Sequence, residues 1–388
     1  MQLIHSSDLQ IGKVFMYFEP EVAVLLQDAR QAAVRTLGEL AMRHGASTVL
    51  LAGDIYDKQQ LSTQTLAKPI EGMRQFPKVT WHLMPGNHDH VRENGLWDHL
   101  ARMNLPENVQ LHTSPGAVKI MDDDGTPVFL LPAPLPHIAN VDDLTGYMDK
   151  EATPEGAIRI GMAHGSIQGF GSDGEASNYV EPTRADTAGL AYLAMGDWHR
   201  QVQINDRVWY SGTPEPDLFK RPPGSSGTLC NGGTALVVDI AGVRAAPTVL
   251  PVEVGRYRWH QVMKTLTEDS QIDLLEAELR ALEPDLSRVV LDLQVTGTLS
   301  LAGRKRFEER IIHGIGAAVC ATRWQDGGLV LEPTEADIDD IDRSGFVRVA
   351  ADRLKVMADD RSDQERARLA SLALRRLYLE HLRQAGVS

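Results

Sequence analysis

Thr48-Val-Leu-Leu-Ala-Gly-Asp-Ile-Tyr-Asp57 is the stretch whose reading decides the fold. Thr48 to Leu51 are β-branched or apolar, which predicts a buried strand. The run stops at Ala52-Gly53, where the backbone can turn sharply, and two acids follow, Asp54 and Asp57. In open α/β sheets ligands collect at the carboxyl ends of strands. A carboxylate presented there is well placed to hold a metal, although a strand-end aspartate can equally cap a turn. Four other strands end in the same way, and that repetition favours the metal.

On the N-terminal side, residues 1–6 form a short apolar strand that ends in Ser6-Ser-Asp8-Leu-Gln10-Ile-Gly-Lys13. Val22, Leu25, Leu26, Ala29, Ala33, Leu37, Leu40 and Ala41 recur at helical spacing and predict a helix over 21–44, stopped by Gly45. A strand–helix–strand unit implies a parallel pair joined by a crossover. On the C-terminal side, a helix over 63–76 leads to a strand over 79–84. That strand breaks at Pro85-Gly86 and presents Asn87-His88-Asp89-His90. Strands over 118–121 and 128–131 flank the turn Asp122-Asp-Asp-Gly125. Further strands are predicted over 108–112, over 158–163 ending at His164-Gly165, and over 190–195 ending at Gly196-Asp197-Trp198-His199. Two more follow, over 208–210 and 234–240. Gly169 to Asn178 and Pro222 to Gly233 read as surface loops.

Pro251 suggests a boundary, giving a first domain over 1–251 and a small α/β domain over 252–350. A helical segment over 351–388 completes the chain. Ser362-Asp-Gln-Glu365 has capping-box spacing and opens a terminal helix running to about Gln384. Its apolar residues fall on two faces: Leu374, Tyr378 and Leu382 on one, Leu369, Leu372 and Ala373 on another. Such a helix can dock on its own domain and on a partner, or be buried within its own chain.

Composition sets the outer limits. A length of 388 residues suggests two or three domains with ample core. The 43% hydrophobic and 24% charged content is that of an ordinary globular protein. No apolar run approaches the roughly 20 residues of a membrane helix. Gln2-Leu-Ile-His5 enters a strand with no basic or apolar leader, which predicts no signal peptide. Cys230 and Cys320 match no metal or redox spacing, so a reduced, cytoplasmic protein is expected. The net charge of −14 weighs against generic nucleic-acid binding, which normally leaves a basic footprint.

Five strand ends thus present, in order, Asp8 and Gln10; Asp54; Asn87 and His88; His164; Asp197 and His199. Each lies beside a glycine or a turn, as close packing of backbones around ions requires. The mixture of carboxylate, amide and imidazole suits Mn²⁺, Fe²⁺ or Zn²⁺ and is too rich in nitrogen for Ca²⁺. His5, His82 and His112 read as ordinary strand or edge residues.

Gly53-Asp54-Ile-Tyr-Asp57, Gly86-Asn87-His88-Asp89, Ala163-His164-Gly165 and Gly196-Asp197-Trp198-His199 resemble the motifs of calcineurin-like metallophosphoesterases. Within that family they are most similar to the SbcD-type DNA repair exonucleases. Tyr210-Ser-Gly-Thr-Pro214 and Ala235-Leu-Val-Val-Asp-Ile240 look like that subgroup too. The resemblance implies an α/β fold: a two-sheet β-sandwich flanked by helices, with a second small α/β domain and a C-terminal helix. It also implies a two-metal site. One ion would take Asp8, Gln10, Asp54 and His199, the other Asp54, Asn87, His164 and Asp197. His88 would protonate the leaving oxygen or stabilise the transition state, with Asp57 holding its tautomer.

Gln10 and Asp197 stand where histidine is usual in that family. This favours Mn²⁺ first, with Fe²⁺ or Mg²⁺ as alternatives, over Zn²⁺. The implied partners are DNA and an SbcC-like coiled-coil ATPase on which the terminal helix docks; a homodimer is left open, and no membrane is involved. Two other functions remain: a metallophosphoesterase acting on a small nucleotide or phosphoprotein, and a weakly active scaffold that binds DNA or the ATPase.

Overall fold

A computed structural model describes residues 1–167, 178–219, 232–243, 245–324, 328–331, 345–360 and 362–384. The two loops expected over 169–178 and 222–233, and Cys230, fall almost wholly outside the described residues, as does the side chain of Leu382. The chain divides into two compact units, Met1–Trp259 and His260–Ser388.

The first unit is built on two sheets. One runs through β1 (Gln2–Ser6), β2 (Thr48–Ala52), β3 (Thr80–Met84) and β4 (Val109–Leu111), all parallel. The other holds β5 (Val118–Asp123), β6 (Thr126–Ala133) and β7 (Ile158–His164). A short pair, β8 (Ser166–Ile167) and β9 (Tyr179–Val180), stands apart from both. The second sheet continues through β10 (Tyr192–Gly196), β11 (Val202–Gln203) and β12 (Val208–Tyr210), in the order β11-β12-β10-β7-β6-β5. The first sheet is completed by β13 (Thr234–Asp239) and β14 (Thr248–Glu253), in the order β14-β13-β1-β2-β3-β4.

All five residues of β2 are buried, and they serve two cores. Val49 and Leu51 pack with Leu37, Leu40 and Ile70 of the helices α1 (Pro20–His44) and α2 (Thr63–Arg74). Leu50 and Ala52 face the opposite way, into an inter-sheet core with Leu3, Met84, Leu130, Ile160, Met162 and Ala194. A strand buried on both faces reads as a continuous apolar run, which is why Thr48 to Leu51 carried so clear a signal. Gly45 ends α1 in the left-handed conformation, with φ 67°. Leu25, assigned to the core face of α1, is exposed; the buried face starts at Leu26.

Pro251 is not a boundary. It lies in β14, opposite Leu236 of β13, and β14 is an edge strand. Edge strands tolerate proline because its missing N–H faces away from the ladder. The first unit therefore extends beyond 251, to Trp259.

The second unit carries a four-stranded sheet of β15 (Arg258–Leu266), β16 (Val289–Leu299), β17 (Ala321–Trp324) and β18 (Leu329–Leu331). Helices Gln271–Arg280 and Leu301–Phe307 pack on it, the latter continuing as a π-helix over Glu308–Ile315. Helix Phe346–Ala358 spans the boundary expected at 350, so the terminal segment is not separate from the rest of this unit. The terminal helix Gln364–Gln384 packs Leu374 and Tyr378 against Ala351, and leaves Leu369 and Leu372 exposed. Its cap is Asp363, whose Oδ1 accepts from the Arg366 amide; Ser362, the expected cap, instead bonds Asp360. No described helix is long and apolar enough to cross a membrane.

Candidate metal centre

The parallel strands of both sheets deliver their carboxyl ends to one place. β1 leads to Asp8 and Gln10, β2 to Asp54, β3 to Asn87 and His88, β7 to His164, and β10 to Asp197 and His199. Register aligns the ends: Ala52 lies beside Met84, and Gly196 beside His164. Main-chain bonds then stitch the exits together. The Asp8 amide donates to Gly53 O at 3.0 Å, Gln10 N to Asp54 O at 2.9 Å, and Gly165 N to Gly196 O at 3.2 Å.

Two glycines permit this close approach. A Cβ on Gly53, whose φ is 90°, would lie 2.2 Å from His164 Nδ1. One on Gly86 would lie 2.2 Å from Asp54 Oδ1. The backbone is also held in an unusual conformation. Asp8, Gln10, Asp54 and Asp197 all have positive φ, at 55°, 43°, 52° and 98°. Such positions cost about 1–3 kcal/mol each and persist at sites where the surroundings enforce them.

The His164 imidazole is the centre of the cluster. Its Nδ1 lies 2.8 Å from the Ala52 carbonyl and so carries the hydrogen. Its Nε2 then faces three oxygens: Asn87 Oδ1 at 3.2 Å, Asp54 Oδ1 at 3.6 Å and Asp197 Oδ1 at 3.7 Å. A lone pair surrounded by oxygen lone pairs needs a cation. Asp8, Asp54 and His164 offer ligand atoms that all lie within 4.8 Å of one another. Asp8 Oδ1 is buried with no hydrogen-bond partner among the described residues, while its Oδ2 accepts from Ser7 Oγ at 2.5 Å and from the Asp197 amide at 3.2 Å. A histidine whose far nitrogen is fixed by a backbone carbonyl is the usual support for a metal ligand. These residues fit divalent cations.

Electrostatics point the same way. Burial disfavours charge on His164, but Asp54, Asp8 and Asp197 outweigh it and raise its pKa to about 9. In the absence of metal a proton takes the cation's place. Burial raises the pKa of Asp8 and of Asp197, each opposed by His164. His199 lies 3.9 Å from Asp8 Oδ1 through Nε2. Burial opposes its charge, Asp217 favours it, and the balance raises its pKa.

His88 is placed differently. Its side chain is 46% exposed, against 2% for Asp54, and its Nε2 lies 3.9 Å from Asp54 Oδ2. The His88 amide donates to Asp54 Oδ1 at 2.9 Å. Its Nδ1 bonds the main-chain carbonyl of Asp57 at 2.9 Å, not the carboxylate expected from sequence. A carbonyl fixes the tautomer without adding a negative charge.

A family model described as Calcineurin-like phosphoesterase matches residues 1–201, a span that contains every expected ligand from Asp8 to His199. The chain belongs to that family. Among curated proteins, this phosphoesterase is similar to "Uncharacterized metallophosphoesterase YhaO" of Bacillus subtilis (strain 168), 25% identical over 225 residues. The match covers 53% of this chain and 50% of that protein, so the chain spans about half the length of its relative. Among solved structures, the crystal structure of TT1561 of Thermus thermophilus is similar at 12% identity and a TM-score of 0.39, covering 65% of this chain and 98% of that one.

Three supporting residues of the phosphoesterase site escaped sequence reasoning. Asp217 is buried; its Oδ1 lies 2.8 Å from His199 Nδ1, and its Oδ2 pairs with Lys13 at 2.5 Å and Arg30 at 2.9 Å. Burial would raise its pKa, but His199, Arg30 and Lys13 hold the carboxyl well below the usual range. Asp89, fully buried, accepts from the Gly86 amide at 2.7 Å and the Tyr56 amide at 3.1 Å, tying the β3 exit to the β2 exit. Burial and nearby Asp54 push its pKa to about 8. Lys13 donates to Gln10 Oε1 at 2.6 Å. Asp217 lies three residues beyond Tyr210-Ser-Gly-Thr-Pro214, in a stretch with no periodicity, and its only signal was proximity to that motif.

Proposed function

We propose that the chain is a metal-dependent phosphodiesterase that hydrolyses DNA together with an SbcC-like coiled-coil ATPase. The observation that carries the hydrolase reading is the His164 Nε2 facing Asn87, Asp54 and Asp197 oxygens, beside an Asp8 Oδ1 with no hydrogen-bond partner among the described residues. Asp8, Gln10, Asp54 and His199 would hold one ion, and Asp54, Asn87, His164 and Asp197 the other. Divalent ions in such a site supply an activated water and offset the charge that builds on a phosphate ester. Manganese suits the oxygen-rich donor set best.

The remaining steps belong to the protein's own groups. His88 is exposed at the rim of the cluster, so a phosphate ester can reach it. The Asp57 carbonyl holds its Nδ1 hydrogen, which leaves Nε2 to carry the proton given to the leaving oxygen. The His88 amide fixes Asp54 Oδ1, coupling the acid's backbone to the central carboxylate.

DNA as substrate is supported by the resemblance of Tyr210-Ser-Gly-Thr-Pro214 to the SbcD-type subgroup and by the presence of a second α/β unit. The exposed Phe346, Val349 and Val356 of helix Phe346–Ala358, with Leu369 and Leu372 of the terminal helix, suit an apolar protein partner such as the ATPase. The net charge of −14 favours a second reading, in which the substrate is a small nucleotide or phosphoprotein. Manganese-dependent release of nucleotides from linear DNA, measured beside hydrolysis of a chromogenic phosphodiester, separates the two. Turnover of the chromogenic ester without any cleavage of DNA selects the small substrate.

A further inference from the structure

We propose that Lys13 is a built-in cation that holds the Gln10 half of the centre against a metal ion, so that the chain takes one divalent ion tightly and a second only weakly. This rests on the metal-centre reading above.

The hydrogen-bond donors settle how Gln10 is turned. Lys13 Nζ lies 2.6 Å from Gln10 Oε1, and an ammonium can only donate, so the amide atom facing it is the oxygen. The amide nitrogen then faces His199 Nε2 at 3.1 Å. An amide NH₂ only donates as well, so His199 Nε2 accepts, and the ring hydrogen sits on Nδ1 toward Asp217 Oδ1 at 2.8 Å. Two of the four groups that would bind an ion on this side, the Gln10 oxygen and the His199 Nε2 lone pair, are engaged within the protein, which leaves Asp8 and Asp54 to hold it.

Lys13 is itself anchored. Its amide donates to Gln10 O at 3.1 Å, closing the turn at Gly12 that folds the lysine back over Gln10. Its ammonium pairs with Asp217 Oδ2 at 2.5 Å, and Arg30 holds the same oxygen at 2.9 Å. A metal entering this half must take the Gln10 oxygen from the ammonium, swing the amide away from His199, and sit beside a like charge. The other half has no such competitor among the described residues. There the Asn87, Asp54 and Asp197 oxygens converge on His164 Nε2, and its ring is braced from behind by Ala52 O.

The test is Mn²⁺ binding to the metal-free full chain, followed by equilibrium dialysis with metal analysis and by electron paramagnetic resonance. The wild type is expected to hold one ion tightly and a second at least about tenfold more weakly, the scale on which supporting groups tune metal affinity. Lys13→Met should tighten the second ion by about tenfold or more and, at two equivalents, give the spectrum of a spin-coupled pair. Lys13→Arg, which keeps the charge, should retain the wild-type pattern. Two ions of equal affinity in the wild type, or a Lys13→Met chain that gains nothing while still folded by circular dichroism, overturns the proposal. Asp54→Asn separates this from failure of the underlying reading. If that variant binds Mn²⁺ like the wild type, the metal centre itself is wrong. If it loses Mn²⁺ binding while the wild-type sites prove equal, only the role of Lys13 falls.

Discussion

Asp217 Oδ1 lies 2.8 Å from His199 Nδ1, while the other oxygen of the same carboxylate is shared by Lys13 and Arg30. Arg30 is 1% exposed and Asp217 2% exposed, so this is a buried ion pair. Breaking such a pair leaves an uncompensated charge and costs about 3–5 kcal/mol. Asp217→Asn is therefore expected to lower unfolding free energy by that amount, read from urea denaturation. A loss below about 1 kcal/mol, the scale of a surface pair, would show that Arg30 finds another partner.

Asp54 Oδ1 lies 3.6 Å from His164 Nε2 and accepts the His88 amide, and in the proposed centre it serves both ions. Asp54→Asn keeps an oxygen for that amide but removes the charge that two cations would share. Hydrolysis of a chromogenic phosphodiester should fall below detection with the circular dichroism unchanged. Wild-type turnover in the variant would remove the bridging role.

His88→Ala should slow turnover by about 10²–10⁴-fold, the usual worth of a positioned acid, while metal content stays near wild type. Loss of bound ions in this variant would make His88 a ligand. Asp57→Asn gives the contrast. Because the main-chain carbonyl holds His88, turnover should change less than about threefold, well inside that acid–base range.

Stability should fall with acid for a reason unrelated to the metal. Burial lowers His5 and His82 to about 3 and His112 to about 4, below the ordinary value of 6.5. His5 bonds Tyr192, and His82 and His112 bond each other at 2.9 Å. Above pH 6.5 the folded and unfolded chains are both neutral at these rings, and nothing is lost. Between about 6.5 and 4 the unfolded chain takes up protons that the folded one refuses. Each ring then costs about 1.4 kcal/mol per pH unit. Urea unfolding of wild type and His5→Leu across that window should give slopes differing by this amount. Parallel slopes would mean that His5 charges within the fold.

Much of the site was legible because parallel strands present their ligands at one end, and a strand buried on both faces has a distinctive run. Thr48 to Leu51 marked β2, and the glycine beside each ligand marked the close approach that Gly53 and Gly86 make. What sequence withheld was atomic. It named Asp57 beside His88 but not that the contact is through the carbonyl. It quoted Lys13 without showing that the turn at Gly12 brings its ammonium to Gln10. Asp217 sits in an irregular segment, and its role exists only through partners far away along the chain, Lys13 and Arg30. Pro251 misled because proline marks edge strands as readily as linkers.

The Asp197 amide donates to Asp8 Oδ2 across 189 positions of chain. A growing polypeptide therefore carries its first cation-binding acid long before it has made the last. Until synthesis passes His199, Asp8 and Asp54 can meet Asn87 and His164 but not the groups that follow β10. A fragment halted before β10 lacks both Asp197 and His199, so it should hold a divalent ion more weakly than the full chain.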